Sequence, residues 1–467
     1  MADMETPGTP WRTEARALLS LSVPLIIGNL GWSGIAATDL LLLGRIGPDA
    51  VAAGSLGFNV YIALLIFGIG LTTAASPLIA SERGRRLHSV RDIRRTVRQT
   101  HWAAALICIP CWIVLWHTEA ILILIGQDAD LAAGAGAMVR GLQWALLPYL
   151  AYITLRNFVA ALERPIWGVI VTLVAVPFNA LFGWLLIFGQ FGLPALGLQG
   201  AGLASFLTSI FMFLGMALVV SLDREFRRYH LFGRFWVADW GRFRTVWRVG
   251  LPIAITLALE VTVFNAAVFL MGLIGRSSLA AHAIALQLAS LVFMVPMGIG
   301  QAATVRVGYF HGRRDPAAVG RAGWTALICG TGFALCSATL LMTAPRFLIG
   351  AFIDVDAPGN AEVTGLAISF LSVAALFQLG DCGQAVGAGL LRGLQDTRVP
   401  MIFAAVGYWV IGIGVGTLLA FPLGMNGLGI WLGLASGLGV VAILIVWRWS
   451  QREKLGLVPH AEAFARS

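Results

Sequence analysis

With 467 residues, 58% of them hydrophobic and only 12% charged, the chain cannot be a soluble domain, in which apolar residues make up about 45–50% and charged ones about 25%. The 32 Lys and Arg outnumber the 23 Asp and Glu for a net charge of +9, but the basic residues sit in short stretches between apolar runs, which is not the pattern of a nucleic-acid binder. Five cysteines, Cys108, Cys111, Cys329, Cys336 and Cys382, all fall inside apolar runs, which argues against a disulfide framework and leaves Cys108-x-x-Cys111 without a second ligand pair for a metal.

Residues 1–16 are polar and then amphipathic, with no small-residue cleavage site after the first apolar run, so no removable signal peptide is expected. Apolar runs then predict helices near 17–44, 51–81, 99–126, 133–162, 165–189 and 197–222, and a second set near 249–275, 279–308, 321–350, 363–392, 399–422 and 426–447. A bilayer core about 30 Å thick takes about 20 residues at 1.5 Å each. Runs of this length that do not alternate exclude a β-barrel, so the expected fold is an all-α polytopic membrane protein of twelve transmembrane helices. Residues 1–16 form an N-terminal segment, 17–222 an N-lobe, 223–248 a basic linker, 249–447 a C-lobe and 448–467 a tail.

The charges between runs set the orientation. One side carries Asp128, Asp130, Asp354, Asp356 and Glu362; the other carries Arg83, Arg85, Arg86, Arg91, Arg94, Arg95 and Arg98, then Arg224, Arg227, Arg228, Arg234, Arg242, Arg244 and Arg248, then Arg313, Arg314 and Arg321. By the positive-inside rule the Arg-rich loops and both termini are cytoplasmic. The same surface suits anionic lipid head groups.

The two sets of helices repeat. A gapless shift of 228 residues places Pro24 on Pro252, Gly44 on Gly272, Ile46-Gly47 on Ile274-Gly275, Gly70 on Gly298 and Gly84-Arg85-Arg86 on Gly312-Arg313-Arg314. A shift of 227 puts Gly197-x-x-Gly200-x-Gly202 on Gly424-x-x-Gly427-x-Gly429. Six spans per repeat keep the orientation, so the lobes are expected to be related by a pseudo-two-fold axis along the membrane normal, with binding in the cavity between them.

Acids inside apolar spans cost roughly 2.5–3.5 kcal/mol on insertion scales, so each calls for a partner or a function. Asp39, Glu260 and Asp381 qualify. Glu260 and Asp381 lie at similar depth in one repeat, where a shared cavity would let the two carboxylates exchange a proton or a cation. Asp39, five residues before Gly44, is read as a substrate or gate residue toward the outer end of its helix. The repeat places Ala267 opposite Asp39 and Trp32 opposite Glu260, so the acids break the symmetry that the scaffold keeps. Asn179 beside Pro177, Gln287, and Gln378 and Gln384 flanking Asp381 are further candidates for substrate or gate contacts, against the commoner role of amides as interhelical glue. His282 is read as interfacial or helix-capping. Trp32, Phe58, Trp144, Tyr149, Phe264, Phe293 and Phe377 could line a cavity for flat cations.

At these residues the sequence resembles the MATE (multidrug and toxic compound extrusion) family, and within it the NorM-like bacterial branch. The resemblance covers nearly the whole chain. Its most specific stretches are Gly250 to Glu260, Ala280-Ala-His282 with Phe293 to Gly298 and Val305 to Gly308, and Phe377-Gln-Leu-Gly-Asp381 through Leu391-Arg-Gly393. It implies a V-shaped bundle of two six-helix lobes that exchanges Na+ or H+ for organic cations by alternating access. The family's acids in the first, seventh and tenth helices match Asp39, Glu260 and Asp381. Some NorM-like members carry a tyrosine four residues before the tenth-helix acid, where this chain has Phe377. Loss of that hydroxyl weakens the case for a Na+ site and leaves proton coupling untouched.

The resulting expectation is a drug-resistance antiporter of the bacterial inner membrane, not an enzyme and without a cofactor, which works as a monomer among membrane lipids and takes up small organic cations or amphipathic drugs but no nucleic acid. Glu260 and Asp381 are its cation-coupling residues, and they would hold Na+ if sodium is the coupling ion. A lipid-linked precursor flippase of the same superfamily would show basic residues facing the cavity, for which only Arg140 and Arg156 are candidates. A lipid-modifying membrane enzyme would need a His/Asp cluster that the spacing of the seven histidines does not provide.

Overall fold

A computed structural model describes residues 10–85, 89–192 and 194–458; of the residues considered above, Arg86, residues 1–9 of the N-terminal segment and 459–467 of the tail lie outside the described residues. Within them the chain forms no strand and twelve long helices. The first six are α1 (Pro10–Gly44), α2 (Pro48–Thr73, continued as Ala75–Arg85), α3 (Ser89–Trp116), α4 (Ala129–Leu142 and Leu146–Ala161, joined by the 3-10 turn Gln143–Ala145), α5 (Ile166–Phe188) and α6 (Gly197–Leu222). The second six are α7 (Trp240–Ile274), α8 (Arg276–Gly312), α9 (Pro316–Thr343), α10 (Ala361–Gly393), α11 (Arg398–Ala420, with π-helical Ala405–Ile413 inside it) and α12 (Asn426–Ser450). Eleven of these are individually long and apolar enough to cross a membrane. The twelfth is α4, whose two pieces are each shorter than a span because of the 3-10 turn.

Several helices start earlier than the apolar runs. α7 begins at Trp240, so the basic linker shortens to 223–239, and α3 begins at Ser89. Hydropathy reads only the part of a helix that lies in hydrocarbon; the amphipathic turns before it are helical because their charges find partners. On α3, Arg95, Arg98, Gln99 and Trp102 follow the i, i+3, i+4, i+7 spacing of one helix face. All four hold the linker: Arg95 Nε donates to Asp239 Oδ2 (2.5 Å), Arg98 Nε to the Leu231 carbonyl (3.0 Å), Gln99 Nε2 to that of Val237 (3.2 Å) and Trp102 Nε1 to that of Phe235 (3.0 Å). Arg95 and Arg98, read from sequence as topology signals, are therefore also structural ties. Partial burial opposes the charge of Asp239, but hydrogen bonds from Arg95 and from the Arg242 amide, with both guanidinium charges, hold its carboxyl below the usual range.

The chain packs as two compact units, one of residues 1–26 with 255–467 and the other of residues 27–254. Two helices therefore change unit partway along. α1 passes from one to the other after Ile26 and α7 after Ala254, positions 228 residues apart and each two residues beyond a proline, Pro24 and Pro252. Proline removes one backbone hydrogen bond and loosens the helix at that point. The first part of each exchanged helix is seated the same way. Glycine is required at Gly70, where a Cβ would strike the Ala254 backbone, and at its repeat equivalent Gly298, where one would strike Ile26.

Each seat also carries an ion pair. In the 27–254 unit Arg242 of α7 pairs with Glu82 of α2, whose carboxylate also accepts from Thr96 Oγ1 (3.0 Å). In the other unit Glu14 of α1 accepts two bonds from Arg306 of α8 (2.9 and 2.6 Å). Arg242 and Glu14 are repeat equivalents of opposite sign, so the two pairs do the same work with reversed polarity. Removing one partner of a buried pair strands the other, at about 3–5 kcal/mol. Arg306→Ala should therefore lower the thermal midpoint in detergent clearly, and adding Glu14→Ala should restore part of the loss; a double variant that is worse than the single would refute the pairing.

Candidate functional site

In the 27–254 unit the site is built on Asp39 of α1. Asp39 is 8% exposed, one helical turn before the α1 terminus, and both its oxygens are taken. Asn179 Nδ2 of α5 donates to Oδ1 (2.6 Å) and Ser205 Oγ of α6 donates to Oδ2 (3.0 Å). Asn179 Oδ1 in turn accepts from Thr208 Oγ1 (2.8 Å), which fixes the amide's orientation: its nitrogen faces the carboxylate and its oxygen the hydroxyl. Three helices are thus tied by one carboxylate held only by neutral donors; among the described residues no ion pair reaches it. Beside it is a cavity of about 50 Å³ lined by Trp32, Phe58, Tyr61 and Tyr149 together with Asp39 and Met212. Of the aromatics considered from sequence, Trp32, Phe58 and Tyr149 belong here, whereas Trp144 is 44% exposed and packs on Trp112.

In the unit that contains 255–467, Glu260 of α7 and Asp381 of α10 are electrostatic neighbours, Asp381 buried and Glu260 half-buried. Two further groups join them. Arg392 shares a face of α10 with Asp381, eleven residues and about 16 Å along the axis, and its charge acts on Glu260. Tyr408 of α11 neighbours Glu260, Asp381 and Arg392. A half-buried arginine beside an acid supplies an internal counter-charge to a carboxylate set among apolar helices.

The remaining sequence candidates are distributed unevenly. Gln378 is buried and donates to the Ala289 carbonyl (3.4 Å), and Gln384 is buried with its side-chain oxygen unpartnered. Phe377 is packed edge-on against Trp431 (centroids 5.7 Å) and Phe264 (6.1 Å). Gln287 is exposed and is not brought to the carboxylates by any described hydrogen bond. His282 is not a cap: it lies six residues inside α8, fully buried, edge-on to Trp431 at 5.5 Å. The apolar run suggested a helix end there, but the aromatic cluster encloses the ring. Ser205, Thr208, Arg392 and Tyr408 were not singled out from sequence. Hydroxyls are too common in membrane helices to mark a site, and Arg392 stands at the end of its apolar run, where a basic residue reads as a boundary.

The profile of the family described as MatE matches the chain twice, over residues 24–185 and 252–418. Both matches begin at the repeat prolines. A Mesorhizobium japonicum protein named "Probable multidrug resistance protein NorM" is 56% identical over 454 residues, 97% of this chain and 97% of that one. A Brucella suis protein of the same name is 52% identical over 439 residues, 94% of this chain and 93% of that one. Among solved structures, the eukaryotic MATE transporter AtDTX14 superposes with a TM-score of 0.84 at 21% identity, over 96% of this chain and 98% of its own. An outward-facing multidrug resistance MATE family transporter does so at 0.84 and 18% identity, over 98% and 100%. At such identities the likeness speaks for the twelve-helix fold.

Asn179 is the joint of the Asp39 network. Asn179→Leu should destabilise the protein by about 1–3 kcal/mol, because it leaves the buried Asp39 carboxylate short of a donor, read as a lower thermal midpoint. Asp39→Asn, whose amide oxygen can still accept from Asn179 and whose amide nitrogen can donate to Ser205 Oγ, should cost less; a larger loss from Asp39→Asn would show that the charge itself holds the helices.

Proposed function

The chain belongs to the MatE family, and from that premise we propose that it is a secondary active multidrug exporter of the bacterial inner membrane, with both termini cytoplasmic, that exchanges Na+ or H+ for organic cations or amphipathic drugs by alternating access. The observation that carries the reading is the pairing of Asp39 with aromatic rings in one cavity. A carboxylate held only by neutral hydrogen-bond donors still has its charge to offer, and the faces of Trp32, Phe58, Tyr61 and Tyr149 attract flat cations. At about 50 Å³ the cavity is far below the roughly 300–1,000 Å³ of a drug-sized site. Drug binding on this reading therefore needs α1, α2 and α6 to part, which is what alternating access supplies.

Coupling is assigned to Glu260 and Asp381. A cation entering between two neighbouring carboxylates relieves their repulsion, so its binding can favour one arrangement of the helices over the other. The flippase alternative finds less support. Arg156 donates to Asn29 Oδ1 (2.7 Å) and packs against Gly28 and Gly168, while Arg140 pairs with Glu119 (2.8 Å). Both candidate phosphate-binding residues are thus engaged within the protein. The transporter is proposed to act as a monomer in the lipid bilayer.

Proteoliposomes loaded with ethidium test this reading. Imposed Na+ and pH gradients are compared as drivers, and the one that supports efflux identifies the coupling ion. Glu260→Gln and Asp381→Asn should each abolish gradient-driven efflux, and Asp39→Asn should raise the half-saturating dye concentration. Intact efflux in both of the first two variants would overturn the coupling assignment.

A further inference from the structure

Tyr408 has no role in the reading above, yet it is one of the most enclosed polar side chains of the membrane helices. It is 1% exposed, and among the described residues its hydroxyl has no hydrogen-bond partner. A native buried hydroxyl without a partner calls for an explanation, such as a bound ion or water. Its charged neighbours are Glu260, Asp381 and Arg392, which come from two other helices. The orphan oxygen therefore lies within electrostatic reach of the two carboxylates.

The backbone explains how it is aimed. Tyr408 lies in the π-helical stretch Ala405–Ile413 of α11, and this stretch rests on α12 backbone to backbone. A Cβ at Gly437 would lie 2.5 Å from the Gly407 carbonyl oxygen and 2.8 Å from Gly412 Cα, and one at Gly433 would lie 2.5 Å from the Gly412 carbonyl oxygen. Gly407 and Gly412 are five residues apart. In a regular α-helix that spacing would turn them about 140° away from each other, whereas i→i+5 bonding brings them onto one face. The wide turn thus keeps Gly407 against α12 and directs the next residue, Tyr408, away from that contact. A π segment, often found at functional sites, is here the device that sets the direction of one side chain.

We infer that Tyr408 is a specificity-determining residue of the coupling site: its phenolic oxygen is the neutral oxygen that joins the carboxylates of Glu260 and Asp381 around the transported cation. The inference rests on the coupling role proposed for those two acids. A phenol suits such a site, since its oxygen can accept a cation through a lone pair without adding a further negative charge. Hard cations take oxygen ligands, so two carboxylates and a phenol form a coherent set. Arg392 supplies a positive charge that stands in for the cation at Glu260.

Tyr408→Phe removes that oxygen and keeps the ring. In the full-length protein without transported cation it leaves no polar group newly unpaired, so the thermal midpoint should not fall. In proteoliposomes the initial rate of ethidium efflux is measured against the concentration of the driving cation for wild type, Tyr408→Phe and Asp381→Asn. The half-saturating cation concentration of Tyr408→Phe should rise about tenfold, the size of one lost ligand or hydrogen bond, with the maximal rate at saturating cation retained. An unchanged half-saturating concentration overturns the inference. So does a fall in maximal rate accompanied by a lower thermal midpoint, because that marks a packing role. Cation-independent efflux in wild type, or cation-driven efflux retained in Asp381→Asn, would bring down the coupling reading itself; a wild-type response in Tyr408→Phe alone would bring down only this inference.

Discussion

Hydrocarbon offers no water, so every polar group that enters it must be satisfied by the protein or be held ready for a ligand. Most of this structure follows from that constraint. The backbone meets it by being helical throughout. Threonines meet it by donating to the carbonyl one turn back, as Thr72, Thr100, Thr154 and Thr304 do. Charged groups meet it by pairing, as Glu14 does with Arg306. Among the groups left over are Asp39 with only neutral donors, the Glu260 and Asp381 pair, and the unpartnered Tyr408 hydroxyl.

The repeat settles where these exceptions can stand. Both halves use the same seat for an exchanged helix, with a proline, a close glycine contact and an ion pair at corresponding places. The ion pairs show how far duplicated halves can diverge while keeping a function. The equivalent positions Glu14 and Arg242 carry opposite signs, and attraction is kept because each has a partner of the opposite charge, Arg306 and Glu82, placed about one helical turn apart in the repeat. The carboxylates inside the membrane had no such freedom, because each depends on neighbours that only its own half provides. Asp39 has Asn179 and Ser205; Glu260 has Asp381, Arg392 and Tyr408.

The sequence by itself determined the class, the helix count, the repeat and the three acids. Each rests on a local or periodic property: the length of an apolar run, a constant shift, a charge where charge is costly. Even α4, which no single unbroken helix accounts for, was legible as the run 133–162, since a 3-10 turn interrupts hydrogen bonding without interrupting apolarity. Only the tertiary structure decided which groups meet. It placed Asn179 on Asp39 and enclosed His282 with Trp431. It left Gln287 exposed, and it brought Arg392 and Tyr408 into electrostatic reach of Glu260. These contacts join helices separated by more than a hundred residues, and their register depends on glycine contacts and a π turn. Neither leaves a periodic mark on the sequence.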